Sequence, residues 1–166
     1  SVINGEGGFI ALSMISLAIL LNQKKMMSTI KELINGENGG QSGEDEVINK
    51  FFKILDSKYP DTNNDGVYSY DYSPLCDVLD KDDKFHALEV LDNYLSDWYG
   101  IHKNTLWYNS HLDLDSGFLY VGYWAFEAAF LVYMLDLDDT SLHKYLYYPK
   151  DIVHWIRNNK KKMILN

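Results

Sequence analysis

Apolar positions along this chain fall into two kinds of run. Residues 8–21, GFIALSMISLAILL, are apolar except for Ser13 and Ser16, and residues 122–135, GYWAFEAAFLVYML, carry Glu127 as their one charge. A helix that is apolar on every side is buried on every side. About 14 residues is too short to span a bilayer, which needs roughly 20. The two runs therefore predict a soluble all-α core, with a central helix over about 120–136 and the other helices packed around it.

The remaining runs are amphipathic. Asn22 suits the start of a helix in which Met26, Met27, Ile30, Leu33 and Ile34 recur at three- and four-residue spacing and Gly36 marks the end. Beyond the loop 37–43, Ser42 is placed to cap a third helix, with Glu44, Asp45 and Glu46 near its positive end and Val47, Ile48, Phe51, Phe52 and Leu55 on its inner face. Residues 59–73 have no periodic pattern and read as an ordered but exposed loop. A short helix over 74–79 precedes a strong one over 82–99, whose buried stripe is Phe85, Leu88, Leu91, Leu95 and Trp98. Asp82, His86, Glu89, Asn93 and Asp97 fall on its opposite, acidic side, and Gly100 stops it.

An aromatic and acidic connection over 101–119, holding Trp107, Tyr108, Asp113 and Asp115, leads into the central helix. Asp138 and Asp139 are placed to cap a single turn, and Pro149 with Asp151 opens a last helix that runs to about Asn159. No strand alternation is long enough to build a sheet. The pattern predicts one all-α domain over 1–166, a compact bundle of roughly six to eight helices.

Charge narrows the partners. The net charge is −9, but residues 56–139 alone hold 17 acids and 4 bases, whereas residues 140–166 hold one acid and six bases. An acidic middle repels nucleic acid and anionic membranes and draws in cationic partners across a Debye length of about 8–10 Å. Arg157 is the single arginine, which argues against a reader of phosphates and bases. Cys76, the single cysteine, cannot form an internal disulfide and suits a reducing cytoplasm.

Candidate chemistry is sparse. DTNNDG at 61–66 opens like a calcium loop, with Asp61, Asn63, Asp65 and Ser69 as oxygen donors, but Tyr72 stands where the bidentate Glu belongs; an Asx-rich turn is the plainer reading. Glu127 has the environment of a general acid or base, and equally that of a buried carboxylate held by Tyr and Trp donors that fixes packing. Catalysis would need it to meet His111 or His154 in a pocket open to solvent. The five histidines show no metal spacing, and no glycine-rich phosphate loop or nucleophile elbow is present. Neither metal, cofactor nor enzymatic activity is expected; a non-catalytic scaffold for a basic protein is the plainest alternative function.

One stretch resembles a known family. GYWAFEA (Gly122, Tyr123, Trp124, Phe126, Glu127), the acidic DDTSL turn at 138–142, and YYPKDIVH (Tyr148, Pro149, Asp151, His154) are similar in order and spacing to the carboxy-terminal signature of PoNi-like immunity proteins, antidotes to PoNe polymorphic DNase toxins. WYNSH at 107–111 resembles the family's approach to that helix. The resemblance implies an α-helical, non-catalytic protein that binds a cognate nuclease in the cytoplasm. It also implies a further helical region upstream, since such proteins are usually longer at the amino end. On this reading the toxin meets an acidic, aromatic-bearing surface, with Asp82, Glu89, Asp97, Trp107, Tyr108, Asp113, Asp115, Asp138 and Asp139 as candidate contacts and no role for nucleic acid or membrane.

Overall fold

The structure is a computed structural model that describes residues 5–36, 43–62, 70–80, 82–112 and 122–163. Among the described residues it contains seven α-helices and no sheet: α1 Gly5–Leu20, α2 Met27–Asn35, α3 Glu46–Leu55, α4 Pro74–Asp80, α5 Lys84–Ile101, α6 Phe126–Met134 and α7 Lys150–Met163. Short 3-10 turns at Lys24–Met26, Tyr70–Tyr72, Ser110–Leu112 and Thr140–Lys144 link them. None of these helices is long and apolar enough to cross a membrane.

α6 is the hub. Residues 127–132 are all buried, and the helix lies against α1 and α7. Phe130 stacks on Phe51 of α3 with ring centroids 4.7 Å apart. Ala128 and Ala129 on α6, with Ala11 and Ala18 on α1, are buried small residues of the kind that let helix axes come close. Leu12, Ile15 and Leu20 complete the buried side of α1, each worth about 1.5–3 kcal/mol of transfer from water.

The central helix is shorter than the apolar run that encodes it. Residues 122–125 are irregular, with Tyr123 and Ala125 buried and Trp124 exposed, and Ala125 N donates to Tyr147 O of a distant segment at 2.9 Å. Gly122 sits at φ +81°, and a Cβ there would lie 2.6 Å from Trp124 Nε1. At the other end Leu137 N reaches Val132 O at 3.0 Å with Asp136 at φ 51°, a Schellman-type stop in which Asp stands where Gly is usual.

Several helix ends also differ from the sequence reading. Asn22, at φ 55°, terminates α1 and caps nothing: Gln23 N donates to Ala18 O at 2.6 Å. α2 begins without a side-chain cap and leaves Met26 and Leu33 exposed, with Ile30 and Ile34 inside. The cap of α3 is Asp45, whose Oδ1 accepts from Ile48 N at 2.9 Å; Ser42 lies outside the described residues. The cap of α5 is Asp83, one residue beyond Asp82, and Phe85 in the first turn is 79% exposed. The buried stripe is Ala87, Leu91, Tyr94, Leu95 and Trp98, Leu88 is half-buried, and the helix runs through Gly100 to Ile101. α7 starts at Lys150, just after the buried Pro149.

The loop over 59–73 is not simply exposed. Tyr59 is buried and its hydroxyl accepts from Asn35 Nδ2 at 2.6 Å, and Tyr72 is fully buried. Of the calcium-like positions, Asn63, Asp65 and Ser69 lie outside the described residues, and Asp61 pairs with Lys53. Cys76 is a buried thiol that burial pushes up to about 12.

Candidate interaction surface

Three features organise the exterior from within. The first is Glu127. Its Oε1 accepts from Tyr94 Oη at 2.8 Å and Trp98 Nε1 at 2.7 Å, so the packing role suits it, while Oε2 has no partner among the described residues. Burial raises the carboxyl to about 6 against the pull of these donors, and drives the Tyr94 hydroxyl well above its ordinary range. His111 and His154 are both exposed; His111 Nδ1 lies 2.8 Å from Tyr123 Oη, and His154 Nε2 lies 2.7 Å from Asn158 Nδ2. Glu127 is sealed at 0% exposure, so the catalytic arrangement does not form.

His102, which follows the last residue of α5, is the second buried titratable group. It is 1% exposed, its ring nitrogens have no partner among the described residues, and it stands edge-on to Trp98 and Phe9 with centroids 4.8 and 5.7 Å away. Burial lowers it to about 4. The two groups act oppositely on stability. Glu127, raised from 4.5 to about 6, prefers to be protonated in the fold, so its contribution falls by about 2 kcal/mol as pH rises through that range. His102, lowered from 6.5 to about 4, takes its proton first in the unfolded chain, so stability falls by about 3 kcal/mol as pH drops through that range.

Urea unfolding of Glu127→Gln and His102→Phe should separate the two effects. The stability of Glu127→Gln relative to the parent should increase as pH rises from 4.5 to 6. The advantage of the parent over His102→Phe should shrink as pH falls from 6.5 to 4. Curves that stay parallel to the parent would refute the assignment.

The third feature is Asp139, which is 6% exposed and committed internally. Its oxygens accept from Tyr148 Oη at 2.6 Å and Arg157 Nη1 at 2.7 Å, and Arg157 Nη2 donates to Leu137 O at 2.5 Å. Burial would raise this carboxyl, but the bonds from Tyr148 and Arg157 outweigh it and hold the group below its ordinary value. Asp139 makes no side-chain cap. Asp138 serves the turn, accepting from Thr140 N and Oγ1 at 3.1 and 2.6 Å.

The remaining candidates are spread over two regions. Asp82 is exposed two residues before α5, Glu89 and Asp97 are exposed on it, and Asp138 is exposed after α6. Trp107 is half-buried, stacked on Trp98 at 5.6 Å, and Tyr108 is stacked on Tyr99 at 4.5 Å. Asp113 and Asp115 lie outside the described residues. Asp97 shares a recess of about 410 Å³ with Asp71, Tyr94 and Ile101. Sequence reasoning missed Asp71 because it joins from an unpatterned stretch; desolvation raises its carboxyl. Of the motif residues, Tyr123, Tyr148 and Pro149 are buried, whereas Trp124, Asp151 and His154 are exposed.

Residues 43–152, about two thirds of the chain, match the family model described as PoNe immunity proteins (PoNi), C-terminal. The chain belongs to the PoNi family. As a PoNi protein it is an immunity protein of the kind directed against PoNe nuclease toxins. The PoNi match takes in the acidic side of α5, the Glu127 centre and Asp139, and ends in the first turn of α7. No curated protein and no solved structure matches the chain significantly.

Proposed function

We propose that this protein neutralises a cognate PoNe DNase in the bacterial cytoplasm by setting an acidic, aromatic-bearing surface in the cationic groove through which the toxin holds DNA. The observation that carries the reading is the exposure of Asp82, just before α5, and of Glu89 and Asp97 on α5 itself, within a stretch of the chain whose net charge is −13. A nuclease needs positive potential to hold phosphate, and a negative surface of similar extent competes for it. Charge steering accelerates the encounter, and Trp and Tyr anchors slow release. Asp138 extends this surface, and Asp113 and Asp115 are assigned to it from the sequence. Trp107 and Tyr108 stiffen the ground beside it. Asp139, bound to Arg157, acts from beneath.

Reversing Asp82, Glu89 and Asp97 together to Lys should slow association with the nuclease by about 10- to 1,000-fold at low salt and flatten the salt dependence of the rate. Melting should change little, because all three side chains are exposed. Stopped-flow association and a DNA-cleavage assay at one equivalent of inhibitor test this. An unchanged rate with full inhibition would move the docking surface off α5.

A further inference from the structure

A groove of about 460 Å³ opens where Trp124 and Phe126, at the start of α6, meet the end of the Thr140–Lys144 turn and the start of α7. Phe126, Tyr148, Pro149 and Ile152 line it, and Trp124 and Leu146 stand at its edges, 42% and 82% exposed. Leu146 is almost wholly in water, so it adds little to the core. Large apolar side chains at the edge of a concave, mostly apolar recess are the usual anchor of a protein interface.

The charge at this groove is opposite to that of α5. Lys144 and Lys150 line it, Asp151 is the one carboxylate among its lining residues, and the His143 ring turns its Nε2 to Asp139 Oδ2 at 3.3 Å. Lys150 is exposed and makes no ion pair among the described residues; Lys144 reaches Asp92 of α5 at 2.8 Å and is still 59% exposed. In a chain of net charge −9, this groove draws on the one segment with an excess of bases. The Lys144–Asp92 pair also joins it to α5, so one footprint can cover the acidic helix and the basic groove together. Neighbouring patches of opposite sign fix the orientation of a partner in a way that a uniform charge does not.

We infer that this groove takes an acidic, apolar-tipped segment of the cognate toxin: an apolar side chain enters between Trp124 and Leu146 while a flanking carboxylate meets Lys150 and Lys144. The inference rests on the immunity reading and adds a second contact whose charge is the reverse of the first. An obvious competitor is a second copy of this chain, which could offer Phe85, 79% exposed and flanked by exposed Asp82 and Asp83.

The test uses the purified protein, the purified cognate PoNe nuclease, and the variants Leu146→Glu and Lys150→Glu, whose sites are exposed enough to leave the fold intact. Leu146→Glu should weaken binding about 100-fold at low and high salt alike, and Lys150→Glu about tenfold at low salt with a smaller loss at high salt. A photo-crosslinker at position 146 should capture a toxin peptide in which an apolar residue adjoins Asp or Glu. Wild-type affinity in both variants, or a captured peptide rich in Lys and Arg, would overturn the inference while leaving the immunity reading standing. A crosslink to the chain itself, with a dimer that Leu146→Glu dissociates, would assign the groove to self-association. If the unaltered protein neither binds nor inhibits the nuclease, the immunity reading fails and the inference falls with it.

Discussion

Trp98→Ala is expected to be among the most damaging single changes, lowering the free energy of unfolding by about 4–6 kcal/mol. The ring is fully buried between Trp107, Tyr147 and His102, with centroids 5.6, 5.3 and 4.8 Å away. Its removal leaves a cavity that three aromatic side chains and α6 cannot close. It also takes one of the two donors from Glu127 Oε1, in a place where the carboxylate has no water to turn to. Trp98→Phe keeps most of the apolar contact and loses the donor, so its cost should be smaller and should include about 1–3 kcal/mol for the lost hydrogen bond. Urea unfolding of both variants checks this. Equal losses would mean that packing of the larger ring contributes nothing, and a loss below about 2 kcal/mol for Trp98→Ala would mean that the aromatic cluster is not part of the cooperative core.

The second large effect is expected at Asp139. Asp139→Ala leaves Arg157 and the buried Tyr148 hydroxyl without their shared acceptor, and should destabilise by about 3 kcal/mol, the lower end for a broken buried pair because Arg157 is itself one-third exposed. Asp138→Ala, one residue away, should change the melting temperature far less, since it loses only two exposed hydrogen bonds within the turn. Thermal melting of the two variants separates them. A double-mutant cycle with Tyr148→Phe should show strong coupling to Asp139, and none to Asp138. Comparable melting for the two aspartate variants would reject the assignment of Asp139 as the tie between the Thr140–Lys144 turn and α7.

Trp98 and Asp139 lie beneath the surfaces assigned to toxin binding. Their loss should lower the amount of folded protein more than its affinity once folded. Reversal of Asp82, Glu89 and Asp97, or of the charge at Lys150, should do the opposite. This contrast separates residues that build the docking surface from residues that touch the partner.

Periodicity and composition carried the all-α class, the buried runs of α1 and α6, the inner side of α3, the exposed acids of α5 and the packing role of Glu127. Each of these depends on residues close in sequence, through a helical repeat or a run whose only stable place is inside. The ordered motif from Gly122 to His154 carried the family. Tertiary structure decided the rest. Ala125 N bonds to Tyr147 O, 22 residues away, and this removes the first four residues of the apolar run from α6. Asp139 looked like a cap until the fold brought Arg157 and Tyr148 to it, and Phe85 faces water because the core takes the side of α5 that holds Ala87, Tyr94 and Trp98, across the helix from it. The groove is assembled from two stretches of the chain, 124–126 and 143–152, the first supplying Trp124 and the second both lysines. Local pattern specifies which side of a helix is apolar; where that side is placed, and which polar groups it buries together, depends on contacts between residues far apart in the chain.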